Sequence, residues 1–306
     1  MTRRGKLGIA LGGGAARGWA HIGVLKALHA AGLRPDIIAG TSIGAVAGGC
    51  YAAGKLAELE EFARSLTLRG VLRHLDLALP GSGLINGNKL ASRLGEHLEP
   101  FRIEALPVKF VAIATELGAG HEVWLNKGPL VRAMRASYAL PGVFKPVRIA
   151  GRWMMDGAFV NPIPVSACRA MGARYVIAVN LHGGGLSRVP HIPAEAEADD
   201  DAPPAPKRED TARRSLNPVS FLRRQLLARK DDAPGMSRVM MEAFNITQDR
   251  IARAKLAGDP PDMMITPRLE SFGLFDFHRA EYAIQRGEEA ARRYLAGDDA
   301  LPFAAA

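Results

Sequence analysis

Cysteine is scarce: Cys50 and Cys168 are the only two in 306 residues. They stand far apart and in no metal-ligand spacing. That argues against a disulfide framework and favours a reducing, cytoplasmic setting. Long apolar runs are also missing, so no segment reads as a bilayer span. Arg3, Arg4 and Lys6 precede an apolar stretch and superficially resemble a secretory leader. The stretch is too short, is broken by Gly12, Gly13 and Gly14, and is closed by Arg17. It reads instead as a first strand feeding a loop. Aromatic residues make up only 6% and do not interleave with basic ones. Single-strand nucleic-acid binders need that interleaving, so no nucleic-acid partner is expected.

What is present is an ordinary globular composition with 48% apolar residues. The length suits one large α/β domain with a sizeable core, read as a single domain over 1–306. The formal net charge is +9. A basic balance favours polyanionic partners such as anionic lipid surfaces, or simply describes a basic solvated surface.

Residues 6–11 read as a buried strand, followed by a glycine loop and a helix over about 17–31. Ile22, Leu25 and Leu28 recur there at helical spacing. Residues 36–39 form a short second strand and 42–53 a second helix. This alternation predicts a mostly parallel sheet flanked by helices. Residues 55–98 read as mostly helical, interrupted by a turn at Pro80–Gly83. Strands are expected at 108–115, 122–125, 153–155 and 175–180, and helices at 129–137 and 164–171. The composition changes after His182, where glycines, prolines and an acidic cluster mark a flexible insertion over about 183–217. The C-terminal part, 218–306, resumes with helices at 237–256 and 278–295 and a strand at 263–266.

Three motifs carry chemistry. Gly40-Thr41-Ser42-Ile43-Gly44 is a G-x-S-x-G pattern between a predicted strand and a predicted helix. In that context Ser42 sits at a sharp strand-to-helix turn, where its hydroxyl meets the positive end of a helix. A tight βα turn with a capping serine fits the same residues. The second motif, Gly12-Gly13-Gly14-Ala15-Ala16-Arg17-Gly18, follows the first strand. Consecutive glycines let backbone N–H groups converge on an anion, as an oxyanion hole requires. A dinucleotide loop fits poorly, because a G-x-G-x-x-G register begun at Gly12 ends on Arg17. Close helix–sheet packing is the plain structural alternative. The third motif is Asp156-Gly157-Ala158 at a strand end. That is often only a turn, but a serine nucleophile needs a base. None of the eight histidines sits in a persuasive motif. His182, after the 175–180 strand, is the one histidine with the placement of a triad member. A carboxylate serves as base where a dry site raises its proton affinity.

The three motifs in this order resemble the patatin-like phospholipases. The stretch Arg135-Ala136-Ser137-Tyr138-Ala139-Leu140-Pro141-Gly142-Val143-Phe144 is similar to the family's segment before the aspartate strand. The resemblance covers about 6–180 and looks closest to small bacterial cytoplasmic members related to the neuropathy target esterase domain. It implies a three-layer α/β/α fold and hydrolysis of lipid carboxylic esters. By resemblance Ser42 is the nucleophile and Asp156 the general base. Gly12, Gly13, Gly14 and Ala15 form the oxyanion loop, with Arg17 closing it, and Gly40, Gly44 and Gly157 are motif glycines. No metal and no cofactor are implied. A soluble esterase or thioesterase on non-bilayer esters, or a non-catalytic regulatory protein on the same fold, remain alternatives. Val219, Leu222, Leu226 and Leu227, flanked by Arg223, Arg224, Arg229 and Lys230, form a basic amphipathic segment. It is a candidate for transient contact of 218–230 with an anionic membrane.

Overall fold

The computed structural model describes residues 5–67, 98–182, 236–269 and 272–296. The chain divides into two compact units, Met1–Gly185 with Asn245–Ala306, and Leu186–Phe244. The first unit is built on one sheet. In the second, the described residues are 236–244, which are helical.

The strands are β1 (Leu7–Leu11), β2 (Ile37–Thr41), β3 (Lys109–Glu116), β4 (Glu122–Leu125), β5 (Val147–Ile149), β6 (Arg152–Asp156), β7 (Tyr175–Val179) and β8 (Met263–Ile265). The helices are α1 (Ala20–Ala30), α2 (Ile43–Ala52), α3 (Leu56–Ser65), α4 (Leu130–Ser137), α5 (Val165–Ala170), α6 (Met236–Gly258) and α7 (Ala280–Leu295). The sheet order is β5-β6-β3-β2-β1-β7-β8, with β4 also on β3. The pairs among β3, β2, β1, β7 and β8 are parallel, while β4 and β6 run antiparallel to β3. The expected mostly parallel α/β/α architecture is the one observed.

Strand alternation divides the core into two faces. Leu7, Ile9, Leu11, Ile38, Phe110, Ala112, Ile177 and Val179 join the larger cluster, with α1, α2, α3, α4 and α7. Ala10, Ile37, Ala39, Val111, Ile113, Val176 and Ala178 face the other way, onto α5 and Ala252 of α6. Strands buried on both faces read as continuous apolar runs, which is why β1, β3 and β7 were legible.

Several boundaries differ from expectation. The predicted helix over 17–31 is a 3-10 turn, Ala15–Trp19, followed by α1 from Ala20. The glycine loop forces the chain through Gly14 at φ 157° and Ala15 at φ 49° first, so a regular helix starts late. β2 runs two residues further than expected and ends at Thr41, which puts Ser42 directly after the strand. β5 was not anticipated, being three residues with no fully buried side chain. The last helix is preceded by a 3-10 turn at Phe277–Arg279. Of the predicted helical stretch 55–98, the described part holds α3. The Pro80–Gly83 turn, the insertion over 183–217 and the basic segment 218–230 lie outside the described residues.

Candidate active site

One strand positions the site. On one edge of β3, β2 pairs along residues 109–113 and ends with Thr41 opposite Ile113. On that same edge β6 pairs further along and ends with Asp156 opposite Ala114. The other edge is taken by β4, which pairs with both Ile113 and Ala114. The residue following Thr41 is therefore delivered next to Asp156 by register alone. Ser42 Oγ donates to Asp156 Oδ2 at 2.7 Å, across 114 positions of sequence.

Ser42 sits at φ 56°, ψ −123°, a conformation that L-residues rarely adopt. Its carbonyl accepts the first α2 bonds, from Ala45 at 2.9 Å and Val46 at 3.3 Å. Its own N–H donates to Ser137 Oγ at 2.9 Å, and Ser137 Oγ donates to the Ile113 carbonyl at 2.6 Å. Ser137 thus ties the strained turn to β3. Its role was not legible, because nothing local marks a serine at a helix end as a brace. Gly44 is required by close approach: a Cβ there would strike the Leu11 carbonyl.

Asp156 is held at every polar atom. Oδ1 accepts from the Ala158 N–H at 2.9 Å, its N–H donates to the Ala139 carbonyl at 3.0 Å, and its carbonyl accepts from Thr115 Oγ1 at 2.8 Å. Burial pushes its carboxyl up to about 7, against the lowering effect of the hydrogen bonds from Ser42 and Ala158. Desolvation wins because the site is dry, with Asp156 only 2% exposed.

The glycine loop requires a correction. The N–H groups of Gly12 and Gly13 are taken by the carbonyls of Val179 and Pro162, at 3.1 and 3.0 Å. They bind the loop into the fold and are not free to hold an oxyanion. The amides of Gly14 and Ala15 carry no protein hydrogen bond among the described residues, as the first N–H groups of a helical turn do not. The loop is strapped from the C-terminal side: Ala16 N–H donates to the Leu274 carbonyl, and Arg17 Nε to the Phe272 carbonyl at 3.3 Å. Arg17 therefore closes the loop as a tether. From beneath, buried His21 donates through Nε2 to the Gly12 carbonyl at 2.8 Å. Burial lowers His21 to about 4, so it is neutral.

His182 is buried, bonds the Gly13 backbone through its ring, feels the charges of Arg17 and Asp249, and is pushed down to about 4 by desolvation first and Arg17 second. Its Nε2 has no partner among the described residues. The bond from Ser42 goes to Asp156 and not to a histidine. Both thiols are buried and raised to about 12 by desolvation. Among the described residues no cluster of three or more His, Cys, Asp or Glu has metal-binding geometry. Among them, too, no helix is long and apolar enough to cross a membrane.

A mostly parallel α/β sheet with a serine elbow, a carboxylate partner and a glycine loop defines a hydrolase-type α/β/α class. Within it the chain belongs to the patatin-like phospholipase family, whose model matches residues 9–169. An uncharacterized NTE family protein of Mycobacterium tuberculosis (strain H37Rv) is 34% identical over 336 residues, covering 95% of this chain and 91% of that protein. Patatin-like phospholipase domain-containing protein 6 of Homo sapiens is 36% identical over 183 residues, 57% of this chain and 13% of that protein. Lysophospholipase NTE1 of Saccharomyces cerevisiae is 27% identical over 308 residues, 97% of this chain and 17% of that protein.

Proposed function

We propose that this protein is a serine lipid acyl hydrolase that cleaves carboxylic esters through a Ser42–Asp156 dyad. The observation that carries the reading is the 2.7 Å bond from Ser42 Oγ to a buried carboxylate raised to about 7. A base of that strength is ionised often enough at neutral pH to act, and basic enough to take a hydroxyl proton in the transition state. Asp156 Oδ2 takes the proton as Ser42 Oγ attacks the ester carbonyl. The oxyanion is held by the amides of Gly14 and Ala15 at the start of the 3-10 turn. Asp156 returns the proton to the leaving alcohol, leaving an acyl-serine. The same carboxylate then deprotonates a water, which releases the fatty acid and restores Ser42. The chain's own residues complete the scheme without a cofactor.

The family and the name of the yeast relative, a lysophospholipase, support a lipid ester as substrate. Contact of 218–230 with an anionic membrane belongs to the same proposal. The test is hydrolysis of a p-nitrophenyl acyl ester and a labelled phospholipid by wild type, Ser42→Ala and Asp156→Asn, each checked for folding. The reading requires both variants to lose at least about a thousandfold in kcat while folded. A folded Asp156→Asn with wild-type activity would refute the dyad.

A further inference from the structure

Helix α6 buries one face through Asn245, Gln248, Asp249 and Ala252. The spacing i, i+3, i+4, i+7 makes these one stripe. At Ala252 the stripe is apolar and joins the cluster of Ile163, Val165 and Val176. Towards the N-terminus of the helix it turns polar while staying buried, with Asn245 8% and Gln248 3% exposed. A buried polar residue ordinarily has a hydrogen-bond partner. Among the described residues Asn245 Oδ1 and Gln248 Oε1 have none, and neither does His182 Nε2.

The position of these atoms gives their lack of partners a meaning. A Cβ built on Gly13 would lie 3.4 Å from Gln248 Oε1 and 3.6 Å from Ser42 Cβ. Laid end to end, the two distances put the Gln248 oxygen and the Ser42 side chain within about 7 Å of each other. His182 borders the same place, its ring bonded to the Gly13 backbone. Asn245 is one turn before Gln248 on the same stripe.

We propose that Gln248, Asn245 and His182 form a hydroxyl-binding subsite beside Ser42. It takes free hydroxyl groups on the alcohol half of the ester. The placement of the alcohol rests on the hydrolase reading above. The three unpartnered atoms here are acceptors: two amide oxygens and the bare ring nitrogen of a neutral histidine whose other nitrogen bonds the Gly13 backbone. Acceptors without donors call for a ligand that brings donors. Charge decides between a hydroxyl and an ammonium. Asp249 is already paired with Arg253 at 2.7 Å, and the Arg17 cation acts on His182. A second cation is disfavoured there, whereas neutral hydroxyl groups meet no such penalty. The sequence hid this subsite because Asn245 and Gln248 lie in a helix more than 200 positions from Gly13.

The test uses 1-O-hexylglycerol, which cannot be hydrolysed, and its di-O-methyl derivative, which keeps the shape and loses both donors. Calorimetry on wild type is expected to show the glycerol ether binding at least about tenfold tighter, because its analogue leaves buried acceptors unpaired. In Gln248→Met, similar in size and without an acceptor oxygen, the preference should fall to about threefold or less. In Gln248→Glu, which keeps acceptors, it should persist. Equal affinity of the two ethers for wild type overturns the subsite, and so does an undiminished preference in a folded Gln248→Met. Should that variant not fold, loss of the preference in Gln248→Glu overturns it instead. Hydrolysis of 1-monohexanoylglycerol against ethyl hexanoate by wild type separates the two readings. If neither ester is cleaved, the hydrolase reading fails, while the ether measurement still decides the subsite.

Discussion

Asp156→Asn should make the protein more stable at neutral pH while removing its activity. The carboxyl moves from 3.8 to about 7 on folding, because burial desolvates the anion. Between about pH 4 and 7 the folded chain keeps a proton that the unfolded chain has released. The folded state binds more protons, so stability falls as pH rises through this window and levels off above it. Three units at 1.36 kcal/mol each come to about 4 kcal/mol held against the fold above pH 7. Asparagine carries no charge. Its oxygen still accepts from the Ala158 N–H, and its amide donates to Ser42 Oγ in place of accepting from it.

For a chain of 306 residues the unfolding entropy is roughly 0.6 kcal/mol/K, so the variant should melt about 6 °C above wild type at pH 8. The gap should shrink steadily below pH 7 and close near pH 4. Differential scanning calorimetry of both proteins from pH 4 to 8.5 measures it. A variant that melts at or below wild type at pH 8, or a gap that does not change with pH, refutes the claim that a buried charge burdens the fold.

The remaining predictions follow from the same geometry. The rate kcat/KM on a short acyl ester should drop about tenfold per pH unit below about 7, since the proposed mechanism lets only ionised Asp156 act as a base; a flat profile from pH 5 to 8 would contradict this. Ser137→Ala should cost about 1–3 kcal/mol in chemical denaturation, because it leaves the Ser42 N–H buried without a partner, and activity should fall with it. Gly23→Ala should cost at least about 3 kcal/mol, since its Cβ would strike the Ile284 carbonyl where α1 packs on α7; a loss under 1 kcal/mol would mean the helices separate easily. Both thiols should resist iodoacetamide in the native protein and react once it is denatured, being buried and raised to about 12.

What was legible in the sequence is what short-range chemistry determines. The elbow at Gly40–Gly44 could be read because strand, glycine, serine and helix are neighbours in the chain. The alternation of strands and helices announced a parallel sheet, and β1, β3 and β7 carry apolar runs that only a doubly covered strand needs. The link between Ser42 and Asp156 was a different matter. It spans 114 positions and came from resemblance, since no spacing rule joins a serine elbow to an aspartate on another strand. The glycine loop was identified, but not which of its amides are free. The carbonyls that take up Gly12 and Gly13 belong to Val179 and Pro162, and no local pattern reveals them. Ser137 and His21 were missed for the same reason, each being ordinary in its helix and singular only in the atom it meets.

The site is best understood as a consequence of β3 serving two strands on one edge. β2 stops at Thr41 and β6 ends opposite the next residue of β3, so the pair meets where one strand's hydrogen bonding gives way to another's. A sheet edge at such a junction offers no regular backbone partner, and side chains must supply it. Ser137 does so for the Ser42 amide, Thr115 for the Asp156 carbonyl and Thr41 Oγ1 for the Asn161 carbonyl at 2.7 Å. The hydroxyl side chains around the pair are therefore part of how the junction is closed. Their presence lets a strained serine and a buried, desolvated carboxylate persist together. On the proposed mechanism, the stability that this arrangement forgoes above pH 7 is the same free energy that would make Asp156 basic enough to take the serine proton. A substitution that recovers one must give up the other.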